Sequence, residues 1–149
     1  MTIALGSDHG GYNLKEAIKI YLQENGHSVL DVGCHSTESC DYPYIAKEAC
    51  EKILNKTCET GILVCGTGIG ISIAANKIHG IRAAACQDYF AAKFTRLHND
   101  ANVLCLGERI TGEGTALELV DVFLNTDFEQ GGRHNVRVDL ISKLEKNSI

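Results

Sequence analysis

The segment Ile62-Leu63-Val64-Cys65-Gly66-Thr67-Gly68-Ile69 joins an apolar run to a cysteine and closely spaced glycines. Residues 60–65 predict a short buried strand, and residues 71–77 predict a helix directly after the glycine turn 66–70. A strand that passes through glycines into a helix directs unpaired backbone N–H groups at one point, which forms an anion site. A thiol beside a helix amino terminus has its thiolate favoured. The segment therefore predicts a base, Cys65, next to donors that can hold an oxyanion.

Composition limits the class of protein around this segment. The chain has 149 residues, 44% apolar and 22% charged, which is typical of one globular domain. Its net charge of −5 argues against a nucleic-acid partner, so any anion site must be a local cluster of Arg or His. The first residues lack the signal-peptide pattern, and no apolar run approaches the roughly 20 residues that span a bilayer. We expect a cytoplasmic protein with no membrane partner.

The cysteines favour the same compartment. Seven are present, at positions 34, 40, 50, 58, 65, 86 and 105. No CxxC pair and no matching His spacing occurs, which argues against structural zinc and a thioredoxin-type dithiol. The odd count without a secretory signal indicates reduced thiols in the cytosol. Cys50, Cys86 and Cys105 lie on apolar faces and are expected to be small core residues, whereas Cys65 is expected to be functional.

Strand and helix patterns alternate along the whole chain without a linker or a repeat. Predicted strands span residues 2–7, 28–32, 60–65, 81–86 and 103–107. Predicted helices carry apolar residues at helical spacing over 14–22, 46–54, 71–77, 89–97, 116–124 and 136–146. Five strands separated by helices predict an α/β fold: a three-layer, doubly wound, five-stranded parallel sheet of the Rossmann or flavodoxin-like type in a single domain. The expected strand order is 2-1-3-4-5.

In such a sheet, ligands bind beyond the carboxyl ends of the strands, at the switch point between the first and third strands. The first strand ends in the polar segment Ser7-Asp8-His9-Gly10-Gly11, and the third ends in Cys65 and its glycine turn. Because these segments are found independently, their meeting in one crevice is the strongest argument from the residues for an active site.

Four further polar features are expected at the same crevice, although each has an ordinary alternative. Asp41-Tyr42-Pro43 can equally be a helix-entry turn, and His98-Asn99-Asp100 can simply close a helix. Arg109 can be a solvated arginine after the fifth strand. Arg133 and Arg137 share a helix face and form a cationic fork suited to phosphate, but a solvated face is as plausible.

Several of these motifs together resemble the type B ribose-5-phosphate isomerases, a family shared with the galactose-6-phosphate isomerase subunits. The resemblance covers essentially the whole chain, and its motifs are residues 6–11, 38–43, 65–77, 80–83, 98–102 and 131–134. One branch of the family uses a glutamate four residues after the cysteine position as base. Ile69 occupies that position here, which leaves Cys65 as the candidate. Cys34 and Cys40 are not part of the pattern and are expected to add sensitivity to oxidation.

The resemblance implies interconversion of D-ribose 5-phosphate and D-ribulose 5-phosphate in the non-oxidative pentose phosphate pathway, with no metal and no cofactor. It implies that His98 opens the sugar ring with Asp8 positioning it, that Cys65 moves the proton between C2 and C1, and that Thr67 assists proton exchange at the cis-enediolate. The implied substrate-binding residues are Asp8, His9, Tyr42, Gly66, Thr67, Gly68, Ile69, Gly70, Asn99, Arg109, Arg133 and Arg137. Family members are dimers, some paired into tetramers, so the last helix, about 133–146, is expected to reach a partner subunit.

Three alternatives remain open at this point. A nucleotide-binding module would use the glycine turn, but the spacing is Gly-x-Gly-x-Gly after the third strand and no acidic residue ends the next strand. A thiol sensor would need a resolving partner near Cys65, and the sequence offers none adjacent. Within the isomerase class, the runner-up substrate is a 6-phosphorylated aldohexose, galactose 6-phosphate or allose 6-phosphate.

Overall fold

The computed structural model describes residues 1–147, along which strands and helices alternate. The strands are β1 (Thr2–Ser7), β2 (Ser28–Asp31), β3 (Thr60–Cys65), β4 (Ala83–Ala85) and β5 (Val103–Gly107). The helices are α1 (Tyr12–Glu24), α2 (Tyr42–Leu54), α3 (Ile69–Ala75), α4 (Tyr89–Asn99), α5 (Glu113–Leu124) and α6 (Arg133–Glu145), with a short 3-10 turn at His9–Gly11. Every element predicted from the sequence is confirmed, with differences of a few residues at some ends.

The five strands form one parallel sheet in the order β2-β1-β3-β5-β4. The fold is thus the predicted single-domain α/β architecture, with helices on both faces, and β1 lies beside β3 as expected. The expected order of the last two strands is wrong, because β5 lies beside β3 and β4 forms the edge. In the register, Ser7 pairs with Val64 and Cys65 with Gly107, so three strand ends meet at the carboxyl edge.

The burial of the two strands and the handedness of the connections between parallel strands explain why β5 lies inside the sheet and β4 lies at its edge. All residues of β5 are buried, as a central strand requires, whereas β4 is three partly exposed alanines. Helices α1, α4 and α5 pack on one face of the sheet, and α2 and α3 pack on the other. Connections between parallel strands of one sheet are right-handed. A connection that reverses the direction in which the chain moves across the sheet must therefore place its helix on the opposite face. Helix α4 lies on the same face as α1, so the chain reverses direction across the sheet after β4, which places β5 between β3 and β4.

The three cysteines that were expected to be structural lie in the core. Cys50 and Cys105 are fully buried, and Cys86 is nearly so. Helix α6 lies outside both core clusters and packs against α4. Its Glu145 carboxylate accepts hydrogen bonds from the N–H of Gly80 at 3.0 Å. Among the described helices, none is both long enough and apolar enough to cross a bilayer.

Candidate active site

The turn after β3 surrounds a cysteine sulfur with backbone donors. Cys65 is the last residue of β3 and is 5% exposed. The N–H of Gly68 donates to Cys65 Sγ at 3.1 Å, and the N–H of Ile69 donates to Thr67 Oγ1 at 3.3 Å. Gly68 has a φ of 76°, and a Cβ there would lie 2.9 Å from the carbonyl carbon of Leu106, so only glycine fits. Donors directed in this way can also hold an oxygen anion.

The turn after β1 touches the glycine turn, as the switch-point argument predicts. A Cβ on Gly10 would lie 3.3 Å from the backbone nitrogen of Gly66, so the two backbones are in close contact. The N–H of Gly10 donates to Asp8 Oδ1 at 2.9 Å, which fixes that carboxylate at the end of β1. The N–H of Asp8 donates to the carbonyl of Val64 at 3.2 Å. Asp8 and Cys65 therefore lie on adjoining turns at one edge of the sheet.

Three further side chains predicted for the site reach the same edge. Tyr42, at the start of α2, lies against Gly70, where an added Cβ would be 2.9 Å from the phenol oxygen. His9 accepts a hydrogen bond from the N–H of Cys40 through Nδ1 at 3.3 Å. Arg109 follows β5, and its Nη1 would lie 3.4 Å from a Cβ on Gly66. The crevice thus combines a thiol, a carboxylate, an imidazole and a guanidinium around a glycine turn.

The remaining predicted site residues lie at the opposite edge of the sheet. Helix α4 runs back from the carboxyl end of β4 to the amino end of β5, so His98 and Asn99 at its end lie at the amino edge. Arg133 and Arg137 are exposed in the first turns of α6, which packs on α4. The two edges are separated by the length of the six-residue strand β3, about 17 Å for five steps of ~3.3 Å. The expectation that all the polar clusters share one crevice is wrong within a single chain.

His98 is held at the amino edge by a stack of aromatic rings. Its imidazole lies parallel to that of His134, with centroids 4.0 Å apart, and edge-on to Phe94 at 4.8 Å. Burial lowers the pKa of His134, and the charges of His98 and Arg133 lower it further, so the neutral ring is favoured. His134 stands beside Arg133 in the motif 131–134, but its contact with His98 depends on the docking of α6, which the sequence does not show.

One group of side chains at this edge has the composition of a metal site. Ligand atoms of His98, Glu129 and His134 lie within 4.8 Å of one another. The two imidazoles are parallel to within 3°, so their in-plane lone pairs run in separate planes instead of converging on one ion. The prediction of a metal-free reaction stays a prediction.

Comparison with known proteins gives a consistent set of relatives. The profile of the family described as Ribose/Galactose Isomerase matches residues 3–141. Ribose-5-phosphate isomerase B of Escherichia coli is 45% identical over 144 residues, which cover 97% of this chain and 96% of that protein. A solved structure of Clostridium thermocellum ribose-5-phosphate isomerase B superposes with a TM-score of 0.97 at 50% identity and covers 100% of both chains. The galactose-6-phosphate isomerase subunit LacB of Clostridium acetobutylicum is more distant, at 37% identity over 99% of this chain and 85% of that protein.

Proposed function

The chain belongs to the ribose/galactose isomerase family, and from this premise we propose that it interconverts D-ribose 5-phosphate and D-ribulose 5-phosphate. The observation that carries the assignment is the Cys65 thiol at the end of β3, with the N–H of Gly68 donating to its sulfur at 3.1 Å. An aldose–ketose isomerase needs a base and oxyanion donors at one point, and this turn supplies both. The Escherichia coli relative, at 45% identity, is named for the same reaction, and the galactose-6-phosphate relative, at 37%, is less similar.

Proton transfer is assigned to the carboxyl edge. The Cys65 thiolate removes the proton from C2 of the open-chain aldose and returns it to C1. The cis-enediolate formed between these steps carries negative charge on oxygen, and the N–H groups of residues 66–70 stabilise it without a metal or a cofactor. Removal of one such donor in other enzymes costs about 3 kcal/mol, so the turn is a major part of catalysis. Thr67 lies beside the intermediate and exchanges protons with it.

Ring opening needs groups from the other edge. Ribose 5-phosphate binds mainly as a closed ring, which His98 opens by moving a proton at the ring oxygen while Asp8 orients the sugar. His98 and Cys65 lie at opposite edges of the sheet within one chain, separated by at least the length of β3, about 17 Å, so one chain cannot perform both steps on one substrate. We therefore assign His98, Asn99, Arg133 and Arg137 of each site to a partner subunit. His9, Tyr42 and Arg109 bind the substrate from the same chain as Cys65.

Exposed apolar side chains support an assembly of this kind. On α6, Leu144 is 60% exposed and Val136 is 59% exposed, so residues 1–147 leave the apolar side of this helix uncovered. Phe90 on α4 and Ile73 on α3 are likewise exposed. A two-fold dimer that brings the amino edge of one chain to the carboxyl edge of the other makes two equivalent sites. We propose a homodimer, or a tetramer built from two such dimers.

The metabolic setting follows from the reaction and the thiols. Both sugar phosphates are intermediates of the non-oxidative pentose phosphate pathway, which we take as the role of this chain. All seven cysteines are free, which fits the reducing cytoplasm.

Two measurements test the assignment. Turnover of ribose 5-phosphate is expected to exceed that of galactose 6-phosphate and allose 6-phosphate, and a preference for either hexose would overturn the substrate. Cys65→Ser is expected to fold normally but to lose C1–C2 proton transfer, because an alcohol is too weakly acidic to supply the base. Incorporation of solvent deuterium into substrate reports this step directly, and Cys34→Ser is the matched control. Deuterium incorporation by Cys65→Ser at the rate of the control would remove Cys65 as the base.

A further inference from the structure

The loop of residues 32–41 joins β2 to α2 without regular secondary structure and carries two cysteines. The Cys34 thiol donates to the carbonyl of Ser36 at 3.1 Å and lies 3.9 Å from that of Glu38, so the loop folds back over Cys34 and brings the Cys40 side chain to it, although five residues separate the two cysteines in the sequence. Those intervening residues, 35–39, are all exposed and pack against no core. The loop therefore brings two thiols together on the surface, beside the candidate active site.

Both ends of this loop are anchored, which makes the meeting of the thiols a defined arrangement. The Cys34 carbonyl accepts a hydrogen bond from Nζ of the buried Lys15 at 2.8 Å. The N–H of Cys34 donates to the carbonyl of Ser7 at the end of β1. The N–H of Cys40 donates to Nδ1 of His9 at 3.3 Å. When the sulfurs approach each other, the parts that can adjust are the exposed segment between the two cysteines and the single hydrogen bond that anchors Cys40.

The two thiols differ in acidity in the way that a nucleophile and a resolving thiol require. Burial alone would raise the pKa of Cys34, but hydrogen bonds with the Ser36 backbone and the Cys40 side chain, with the charge of Lys15, lower it below its ordinary value. Burial and the hydrogen bond with Cys34 raise the pKa of Cys40 to about 11. Cys34 is therefore the thiol that ionises first and attacks.

The buried cysteines other than Cys65 offer no comparable chemistry. Burial raises the pKa of Cys50 to about 12 and that of Cys86 to about 11, and it raises the pKa values of Cys58 and Cys105 as well. A thiol that is both buried and protonated reacts slowly with oxidants. Cys34 and Cys40 therefore form the one pair in the described part of the chain that combines contact with partial exposure.

We propose that Cys34 and Cys40 form a reversible disulfide by exchange with a low-molecular-weight disulfide of the glutathione class. The Cys34 thiolate attacks one sulfur of that disulfide, which releases one thiolate and leaves a mixed disulfide on Cys34. Cys40 then loses its proton to solvent and attacks Cys34 Sγ, which releases the second thiolate. The protein pair is oxidised by two electrons and the small disulfide is reduced to two thiols.

The bond has a consequence for the candidate site. Closing it moves Cys40 towards Cys34 and breaks the hydrogen bond from its N–H to His9. It also moves Tyr42, two residues further on, away from Gly70. The chemical step is independent of the proposed isomerase function, but the effect on activity rests on that function. Oxidation is expected to lower kcat/KM for ribose 5-phosphate about fivefold, the effect of losing one hydrogen bond, and dithiothreitol restores it.

The test uses a feature of the sequence. Lys19 and Lys47 have no lysine or arginine between them, so trypsin releases residues 20–47 as one peptide that holds Cys34, Cys40 and no other cysteine. The native protein is incubated with glutathione disulfide, and its remaining thiols are blocked with N-ethylmaleimide. The protein is then digested with trypsin, and the peptide masses are measured by mass spectrometry. The expected peptide has lost two hydrogens and carries no maleimide. Cys40→Ser is expected to stop at a glutathione adduct on Cys34, and Cys34→Ser is expected to react about tenfold more slowly.

Two results would overturn the disulfide, and a third would overturn its effect on activity. The first is a peptide 20–47 that keeps two free thiols while the peptide with Cys50 gains glutathione. The second is a Cys40→Ser variant, folded by circular dichroism, whose Cys34 remains unmodified. The third concerns regulation alone: if the disulfide forms completely and kcat/KM is unchanged, the link from the loop to His9 and Tyr42 is wrong while the modification site stands.

Discussion

Lys15 is a fully buried cation. Because of the charges around it, removing a neighbouring anion and removing Lys15 itself are expected to lower the free energy of unfolding by different amounts. Its ammonium lies 2.8 Å from Asp31 Oδ2 and 2.8 Å from Glu16 Oε1, with none of its side chain exposed. Lys19 bonds the same two carboxylates at 3.0 and 2.6 Å. Two cations and two anions therefore balance, at the point where β2 leads into the loop that carries Cys34.

Removing one anion or one cation from this cluster leaves different charges unpaired. Asp31→Asn leaves two ammonium groups to share Glu16, one of them in the protein interior, and is expected to cost about 3 kcal/mol of unfolding free energy. Lys15→Met replaces the buried charge with an apolar chain of similar length. The carboxylates that remain are 16% and 33% exposed and keep Lys19, so the expected cost is about 1 kcal/mol.

Urea unfolding followed by circular dichroism measures both costs, at one protein concentration because assembly contributes to stability. Burial raises the pKa of Asp31, but hydrogen bonds from Lys15, the Gly33 N–H and Lys19 outweigh it and hold the pKa below its ordinary value. The stabilisation is therefore present above the unfolded pKa, about 3.9, and is lost as pH falls through the folded value. The difference in unfolding free energy between the wild type and Asp31→Asn must then decrease as the pH falls below that value. A Lys15→Met variant as unstable as Asp31→Asn would refute the reasoning.

Further predictions concern catalysis. His98→Asn is expected to lower kcat on ribose 5-phosphate, which is mostly cyclic, more than kcat on ribulose 5-phosphate, and equal losses would indicate a role in binding or folding. Exhaustive EDTA treatment is expected to leave activity intact, because backbone donors carry the oxyanion; activity that returned only with a divalent ion would indicate metal-assisted chemistry. Gly70→Ala places a Cβ 2.9 Å from the Tyr42 phenol and is expected to lower kcat/KM about tenfold. Gly114→Ala is its control, since a Cβ there meets open space, and equal kinetics for the two variants would contradict the contact.

The crevice at the carboxyl edge could be predicted from the sequence because its determinants are local. A strand pattern, a cysteine and spaced glycines specify the turn after β3, and the polar residues after β1 follow a second strand. Parallel strands end at the same edge, so their adjacency needed only the doubly wound fold. The order of β4 and β5 could not be obtained in this way, since neighbouring strands are chosen by packing. Three small residues between Arg82 and Cys86 were the available sign of an edge strand.

The placement of His98 at the amino edge follows from a general property of parallel sheets. A residue that ends the helix before a parallel strand lies at the amino edge of the sheet, opposite the ends of the strands. This rule alone separates His98 from Cys65. The stack of His98 on His134 and the meeting of Cys34 with Cys40 had no sequence signal. Both depend on how α6 and the loop after β2 dock onto elements distant in the chain.

The most direct test of the two-chain site mixes two inactive variants, Cys65→Ala and Arg137→Ala, by co-expression or by unfolding and refolding together. If the base and the arginine of one site come from different chains, a mixed dimer has one site with both defects and one site with neither. Random pairing makes half of the dimers mixed, so about a quarter of all sites should regain full activity in a closed two-fold assembly. Cys65→Ala mixed with His98→Asn is expected to recover in the same way. Activity that stays at the level of the separate variants would contradict the two-chain site.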